Sequence, residues 1–153
     1  MRSMRTILKA GLGLALSVSV TFLAYAEEGV PATTRSTATG VFTQKQAERG
    51  AEVYRQSCSD GCHLSSLLGE GKAKPLVGDT FREHWHGKTL AELYGHVSVK
   101  MPQDLPGTLS DEEYLSAVVY LLSKNGSPSG ETPLPGDSET LATIEIAAAP
   151  AGE

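Results

Sequence analysis

Six consecutive residues constrain this chain more than any other stretch: Cys58-Ser59-Asp60-Gly61-Cys62-His63. Two cysteines followed at once by a histidine are the arrangement that attaches a c-type haem, with the histidine held beneath the ring as an iron ligand. The usual spacing is C-x-x-C-H, and this chain has one residue more between its cysteines. Gly61 can take a positive φ and absorb that residue. Either both cysteines are attached, which we favour, or only Cys62 beside His63 is.

The N-terminal segment has the pattern of a targeting signal. Three basic residues precede an apolar run, residues 10–26, which ends in Ala24-Tyr25-Ala26. This order predicts a secretory signal peptide over residues 1–26 and therefore a periplasmic location. An uncleaved membrane anchor is the alternative, but the run is short for a span. We expect no stable membrane insertion after cleavage.

Without that segment the chain is strongly acidic. Its formal net charge of −5 becomes −8, because three of the 13 Lys and Arg residues lie in the segment while all 18 Asp and Glu residues follow it. An acidic protein repels the phosphates of nucleic acid. A redox partner with a basic surface would suit it better. We therefore predict protein partners and no nucleic acid.

Helix signals cluster between residues 42 and 126. Three capping boxes open three amphipathic helices; they begin at Thr43, Thr89 and Ser110. Gly50 lies on the apolar face of the first helix, which indicates close approach of another helix. Residues 64–80 are rich in glycine and are expected to form a loop. Three helices form a thin core, and a buried apolar cofactor would complete it.

The flanks of this domain are polar. Residues 27–41 are small and polar, and they predict a flexible leader. Residues 127–153 are rich in Pro, Gly and Ser, and they predict an extended tail. Leu141, Ile144 and Ile146 are the apolar residues that can dock this tail. The predicted organisation is therefore signal peptide, leader, a domain over residues 42–126, and tail.

Met101 is the candidate for a second iron ligand. It is the only methionine after the predicted cleavage site, and it lies in a loop with Pro102 and Pro106. A thioether is a good iron ligand, and His/Met ligation favours reversible electron transfer. A methionine that fills a gap in the core is the plain alternative. His96 is a weaker candidate ligand, and we expect surface roles for two other histidines, His84 and His86.

These features together resemble a class I cytochrome c over residues 42–126, and less securely as far as Ile146. The matching residues are Gly50 and Tyr54 before the cysteines, Pro75-Leu76-Val77-Gly78 after the histidine, Met101-Pro102, and Tyr120-Leu121-Leu122 in the last helix. The resemblance implies a small all-α cytochrome c fold. In that fold, three main helices and long loops surround one covalently bound haem.

The resemblance also implies roles for single residues. The first and last helices would cross with Gly50 against Tyr120 or its neighbours. The carbonyl of Pro75 would accept a hydrogen bond from the second ring nitrogen of His63 and fix the ring. Trp85 would lie near a haem propionate. The implied cofactor-binding set is Cys58, Cys62, His63, Met101, Pro75 and Trp85, with His63 and Met101 on the iron.

The implied function is that of a one-electron carrier rather than an enzyme. Its donor would be a protein such as a periplasmic dehydrogenase, and its acceptor a terminal oxidase or another cytochrome. From Met101 to Pro135 the chain is similar to cytochromes associated with quinoprotein alcohol dehydrogenases. A dedicated haem subunit of such a dehydrogenase is therefore the alternative to a free shuttle.

Three readings compete with the electron carrier. A zinc module would use Cys58, Cys62, His84 and His86. A Cys58–Cys62 disulfide would close only a short loop in a secreted binding domain and would stabilise it little. A haem enzyme would need an open coordination position, and Met101 argues against one. The zinc reading leaves the adjacent His63 and the Met101 loop unexplained.

Overall fold

The computed structural model describes residues 35–148. The predicted signal peptide, the first part of the predicted leader and residues 149–153 lie outside this range. Within it the chain forms five α-helices and one pair of two-residue strands. These are β1 (Arg35–Ser36), α1 (Gln44–Ser57), α2 (Asp79–Trp85), α3 (Leu90–Lys100), α4 (Asp111–Lys124), α5 (Ser138–Ala142) and β2 (Ile144–Glu145). None of these described helices is long and apolar enough to cross a membrane.

Helices α1, α3 and α4 begin where the three capping boxes predict. Thr43, Thr89 and Ser110 each accept a hydrogen bond from the backbone three residues later, and the Gln or Glu at that position reaches back to the cap. Such a cap satisfies two backbone donors that would otherwise lack partners. The helix-rich fold thus agrees with the predicted class, and its three longest helices are the predicted ones.

Helices α1 and α4 cross at Gly50. A Cβ atom on this buried glycine would lie 2.0 Å from the carbonyl oxygen of Ser116 and 2.8 Å from Cβ of Tyr120. One turn further along α1, the ring of Tyr54 lies 5.1 Å from that of Tyr120. The predicted crossing of Gly50 with Tyr120 is therefore confirmed. Only a residue without a side chain allows the two backbones to approach this closely.

Helix α2 was not predicted. It begins after Gly78, which has no side chain to cap it, and it is only seven residues long. Its stability comes from burial of Phe81 and Trp85, which lie one turn apart on the same face. A short helix without a cap carries little local signal, so tertiary packing decides its formation.

The described parts of the leader and the tail are packed together, so the leader differs from the flexible segment that its sequence predicted. β1 pairs in parallel with β2, Arg35 opposite Ile144. Thr37 is fully buried and its hydroxyl accepts a hydrogen bond from the amide of Ala147, at 3.0 Å. The apolar residues expected to dock the tail are at most 2% exposed: Leu141, Ile144 and Ile146. The short helix α5, capped by Asp137, replaces part of the predicted extended tail.

The tail is also fastened to the start of α1. The amide of Gly130 donates to the carbonyl of Phe42 at 2.6 Å. The side-chain amide of Gln46 donates to the carbonyl of Leu134 and accepts from its N–H, both at 2.9 Å. Residues 127–147, which we call the strap, therefore run from the end of α4 past α1 to β1. The strap satisfies backbone groups of the leader that would otherwise face water.

Candidate haem site

The segment Cys58–His63 forms a wide turn at the end of α1. The amide of His63 donates to the carbonyl of Cys58 at 3.1 Å, and that of Leu64 donates to Ser59 at 2.8 Å. In both bonds the donor lies five residues after the acceptor. Each hydrogen-bonded turn therefore holds one residue more than a turn of α-helix, where the separation is four. Gly61 has φ 69°, as predicted, while Asp60 has ψ 125° and breaks the helical path. This geometry accommodates the additional residue between the cysteines.

The two cysteines lie at opposite ends of this turn. Cys58 is half-buried against the core, Cys62 is exposed, and both are free thiols. Burial, followed by the charge of Cys62, raises the pKa of Cys58 to about 11. Cys58 is therefore a protonated thiol at neutral pH. The structure does not contain the disulfide of the competing reading.

His63 is half-buried, and one of its ring nitrogens is already engaged. Its Nδ1 lies 3.2 Å from the carbonyl oxygen of Lys74. A carbonyl can only accept, so Nδ1 carries the proton and Nε2 keeps its lone pair. Burial lowers the pKa of His63, although the hydrogen bond to Lys74 opposes this effect. A neutral imidazole with a free Nε2 is the form that ligates metals.

The carbonyl beside His63 corrects the role expected for Pro75. The resemblance implied that Pro75 would accept this hydrogen bond, but the acceptor is the preceding residue, Lys74. Successive carbonyls of an extended segment point to opposite sides, so a shift of one residue exchanges the group that faces the ring. The amide of Leu76 donates to the carbonyl of Leu67 at 2.7 Å and holds the segment in this register. Pro75 is half-buried and restricts the backbone between these two contacts.

Two side chains outside the predicted set fix the loop after His63. The hydroxyl of Tyr54 donates to the carbonyl of Leu64 at 2.7 Å. Asn125 donates from Nδ2 to Leu76, at 2.9 Å, and accepts at Oδ1 from the amide of Gly78, at 3.1 Å. The loop is thereby tied to α1 and to the end of α4. Sequence reasoning treated Tyr54 as an apolar helix residue and Asn125 as a helix end, because partners so distant in sequence leave no local signal.

Met101 lies directly after the last residue of α3. Its backbone is extended, with φ −125° and ψ 150°, and its side chain is half-buried. Its N–H donates to the carbonyl of Val97 at 2.9 Å. Its carbonyl accepts from the hydroxyl of Tyr114 at 2.8 Å. Helix α4 therefore holds the loop after His63 through Asn125 and holds Met101 through Tyr114.

Trp85 is buried in a cationic and aromatic neighbourhood. The rings of His84 and His96 lie 4.9 and 5.3 Å from its ring, and Nζ of Lys88 lies 5.0 Å from the ring centroid. Burial lowers the pKa of His96, and the charges of His84, Lys100 and Lys88 lower it further. This surrounding would tolerate a carboxylate such as a haem propionate. The role of Trp85 beside a haem propionate stays a prediction.

The residues of this region suit a haem in their donor chemistry and in their apolar surface. Two thiols, an imidazole nitrogen and a thioether are the groups that attach and ligate a c-type haem. Several apolar side chains pack against the core yet are only partly covered: Leu76, Val77, Tyr94 and Val97. A flat apolar cofactor would cover such surfaces and add the burial that the three-helix core lacks.

The zinc reading finds no support in the described part of the chain. Within residues 35–148, no three or more His, Cys, Asp or Glu side chains are assembled as they would be around a metal ion. His84 and His86 lie at the end of α2, whereas the cysteines follow α1. A cavity of about 280 Å³ between α2 and the end of α4 is lined by His86, but by neither cysteine, by no other histidine and by none of the residues predicted to bind haem.

Comparison with known proteins identifies a family for this chain. The family model described as cytochrome c oxidase, cbb3-type, subunit III matches residues 45–121, half of the 153-residue chain. No curated protein and no solved structure matches the chain. The matched range includes Cys58, Cys62, His63 and Met101. The protein therefore belongs to this family of c-type cytochrome domains, which carry electrons on a covalently bound haem c.

Proposed function

We propose that this protein is a periplasmic one-electron carrier in which Cys58 and Cys62 hold a single haem c and His63 and Met101 ligate its iron. The observation that carries the proposal is the wide turn at residues 58–63. It presents two free thiols beside an imidazole whose Nδ1 is bonded to a carbonyl and whose Nε2 is free. The added residue between the cysteines is taken up by bonds that span five residues.

Each residue contributes a separate task in this proposal. Thioether bonds from Cys58 and Cys62 prevent loss of the cofactor. The carbonyl of Lys74 holds the His63 ring in one orientation and makes Nε2 the better donor. Bound haem supplies an iron centre that alternates between the ferric and ferrous states. A thioether from Met101 and an apolar surrounding favour the ferrous state, and we expect them to raise the reduction potential.

Three exposed apolar side chains support docking of a redox partner near the ligand-bearing segments. Leu68 is 58% exposed, Val99 68% and Leu105 60%. Leu68 lies in the loop after His63, and Val99 and Leu105 lie on either side of Met101 along the chain. Apolar side chains this exposed can form the dry centre of a small interface. Redox proteins are the partners of this family, and we infer a periplasmic dehydrogenase as donor and a terminal oxidase as acceptor.

The packing of the leader and strap favours a diffusing carrier over a fixed subunit. A free leader and tail that could reach a partner would favour a dedicated dehydrogenase subunit. Residues 35–41 and the strap are hydrogen-bonded to their own domain instead. These described segments are therefore not free to reach a partner protein. They do not support assembly with an alcohol dehydrogenase.

The attachment is tested by a pyridine haemochrome spectrum of the purified mature protein after acid–acetone extraction. We expect the haem to stay with the polypeptide and to give the α-band of two thioethers. Cys58→Ser should shift this band to the red, because one vinyl group is then retained. Cys62→Ser should act likewise, and Ser65→Ala is a matched control outside the turn. Haem that leaves the wild-type chain on extraction would contradict the proposal.

The second ligand is tested with Met101→Ala. This change removes the thioether, so we expect a lower reduction potential and ferric protein that binds imidazole at least roughly tenfold more tightly than the wild type does. Potentiometric and imidazole titrations measure the two effects. Leu105→Ala, in the same loop, is the matched control. A potential and an imidazole affinity that are unchanged in Met101→Ala would dismiss Met101 as a ligand.

A further inference from the structure

The backbone of Met101 makes two hydrogen bonds, one within its own helix and one to another helix. Its N–H bonds to Val97, in the helix that it ends, so this contact forms with α3 itself. Its carbonyl bonds to the hydroxyl of Tyr114, which belongs to α4 and lies 13 residues further along the chain. The second bond is therefore a tertiary contact, and it sets where Met101 lies relative to the core.

Tyr114 is itself rigidly placed. It lies in the first turn of α4 and is 3% exposed. The Ser110–Glu113 capping box fixes the start of that helix, and the amide of Tyr114 donates to the carbonyl of Ser110 at 3.0 Å. A buried tyrosine ring has little rotational freedom, so its hydroxyl offers a donor at a defined position.

The loop after Met101 provides little other support. Residues 103–108 are exposed, and the hydrogen bonds described within the loop are local: the amide of Leu105 and the hydroxyl of Thr108 bond to residues three positions earlier. A second link between α3 and α4, from the Tyr94 hydroxyl to Asp111 at 3.1 Å, is exposed to solvent. Water competes for an exposed bond more effectively than for a part-buried one.

We propose that Tyr114 is the positioning residue for the Met101 sulfur, acting through its hydrogen bond to the Met101 carbonyl. The inference rests on the proposed ligation by Met101. Without the hydroxyl, the Met101 carbonyl loses its tertiary donor, and the residue gains freedom to withdraw its side chain. Tyr114 touches neither the thioether nor the imidazole in this role. Tyr114 determines the fraction of molecules in which the thioether of Met101 is positioned to ligate the iron.

The test is Tyr114→Phe in the full-length holoprotein, because this change removes one hydroxyl and keeps the buried ring. Imidazole is titrated into the ferric protein, and the far-red absorption band of a methionine-ligated ferric haem is recorded. We expect about tenfold tighter imidazole binding and a weaker far-red band. Tyr120→Phe is the matched control, since it lies on the same helix and no hydrogen bond from its hydroxyl is found within the described residues. The control should bind imidazole as the wild type does.

Met101→Ala, measured in parallel, separates the two possible failures. If Met101→Ala gains imidazole affinity and Tyr114→Phe does not, the positioning role is wrong while the ligation stands. If neither variant changes, the ligation fails and the positioning role falls with it. Thermal unfolding of each variant is recorded as well. A lower melting temperature of Tyr114→Phe with unaltered imidazole affinity and far-red band would make Tyr114 structural only.

Discussion

Gly50 shows how one missing side chain sets the distance between two helices. A Cβ atom there would meet the Ser116 carbonyl oxygen at 2.0 Å, and a backbone atom in a packed helix cannot move away cheaply. We expect Gly50→Ala to lower the free energy of unfolding by about 2–3 kcal/mol, in the upper part of the range for overpacked cores. Chemical denaturation of the holoprotein measures this loss.

Gly95 is the matched control for this change. It also lies inside a helix, α3, but a Cβ atom there would have no neighbour within 4 Å. Gly95→Ala should therefore raise stability by about 0.5–1 kcal/mol, because alanine is the better helix former. Equal effects of the two substitutions would show that helix propensity, and not the α1–α4 approach, controls the outcome at Gly50.

His96 makes the stability of the fold depend on pH. Its pKa is lowered in the folded protein by burial, then by His84, Lys100 and Lys88. The unfolded chain therefore binds the proton more readily, and stability rises with pH between the lowered pKa and the ordinary value of about 6.5. We expect the melting temperature to fall as the pH falls through this window. His96→Gln should flatten that part of the profile.

The matched variant for this test is His86→Gln, which removes an exposed imidazole at the end of α2. Melting temperatures of the holoprotein are compared at several values between pH 5 and 7.5. A slope that His96→Gln leaves untouched would exclude His96 as its source.

At the scale of elements, Gln46 joins the start of α1 to the strap. Its side chain completes the Thr43 capping box and makes two further hydrogen bonds to the backbone of Leu134. Removing them in Gln46→Ala should cost about 1–2 kcal/mol of unfolding free energy, because part-buried backbone groups lose their partners. Lys45→Ala, on the exposed face of the same helix, should change stability by less than about 0.5 kcal/mol.

A double-mutant cycle assigns this cost to the two sources. Gln46→Ala is combined with Thr43→Ala, which removes the hydroxyl that accepts from the Gln46 amide but keeps the backbone N–H that donates to the Gln46 side chain. A full loss from Gln46→Ala in the Thr43→Ala background would show that the bonds of Gln46 to the backbone of residues 43 and 134 carry its cost. A smaller loss in that background would show that the two side chains stabilise the cap together.

The elements with strong local signals are the ones that sequence could predict. Three capping boxes located α1, α3 and α4, and the positive φ of Gly61 followed from the spacing of the cysteines. Helix α2 has no side-chain cap and α5 is only five residues long, so tertiary contacts decide both. The Nδ1–H of His63 donates to the carbonyl of Lys74 and not to that of Pro75, because sequence alone does not determine the register of an extended loop.

The residues of the candidate site also fall into two groups, those that a local motif marks and those that only tertiary contacts reveal. Cys58, Cys62, His63 and Met101 are named by residue chemistry and spacing, and their assignment as haem groups is still a prediction. Tyr54, Asn125 and Tyr114 support them from positions that no motif marks. Their contacts are created by the crossing of α1 and α4 and by the packing of the loops on α4. Only the folded chain reveals such partners.

On the scale of the whole molecule, the strap is part of the core and not an appendage. Leu134, Leu141, Ile144 and Ile146 are each at most 2% exposed, and burial of a large apolar side chain contributes about 1.5–3 kcal/mol. Their sum approaches the total stability of a typical domain, about 5–15 kcal/mol. A chain that ends at Gly126 should therefore melt at a much lower temperature or fail to fold.

A chain that ends at Ala148 is the control for this truncation, since it keeps the strap complete. Thermal unfolding and limited proteolysis of the two proteins measure the difference. Equal melting temperatures would show that residues 42–126 are a complete domain, as their sequence had suggested, and that burial of the strap contributes little.

The parallel pairing of Arg35 with Ile144 places the start of β1 beside the start of β2, and the amide of Ala147 reaches the hydroxyl of Thr37. Because the two strands run in the same direction, a linker from residue 148 to residue 35 has to run back along the pair and cannot be a tight turn. With such a linker, the chain could be opened at the exposed stretch 131–133. In such a circular permutant, the segment from Leu134 to Ala148 would be synthesised directly before the leader that it contacts. β2 and β1 would then be neighbours in sequence, and the cysteine turn would follow both strands. In the natural order, the turn lies between β1 and β2.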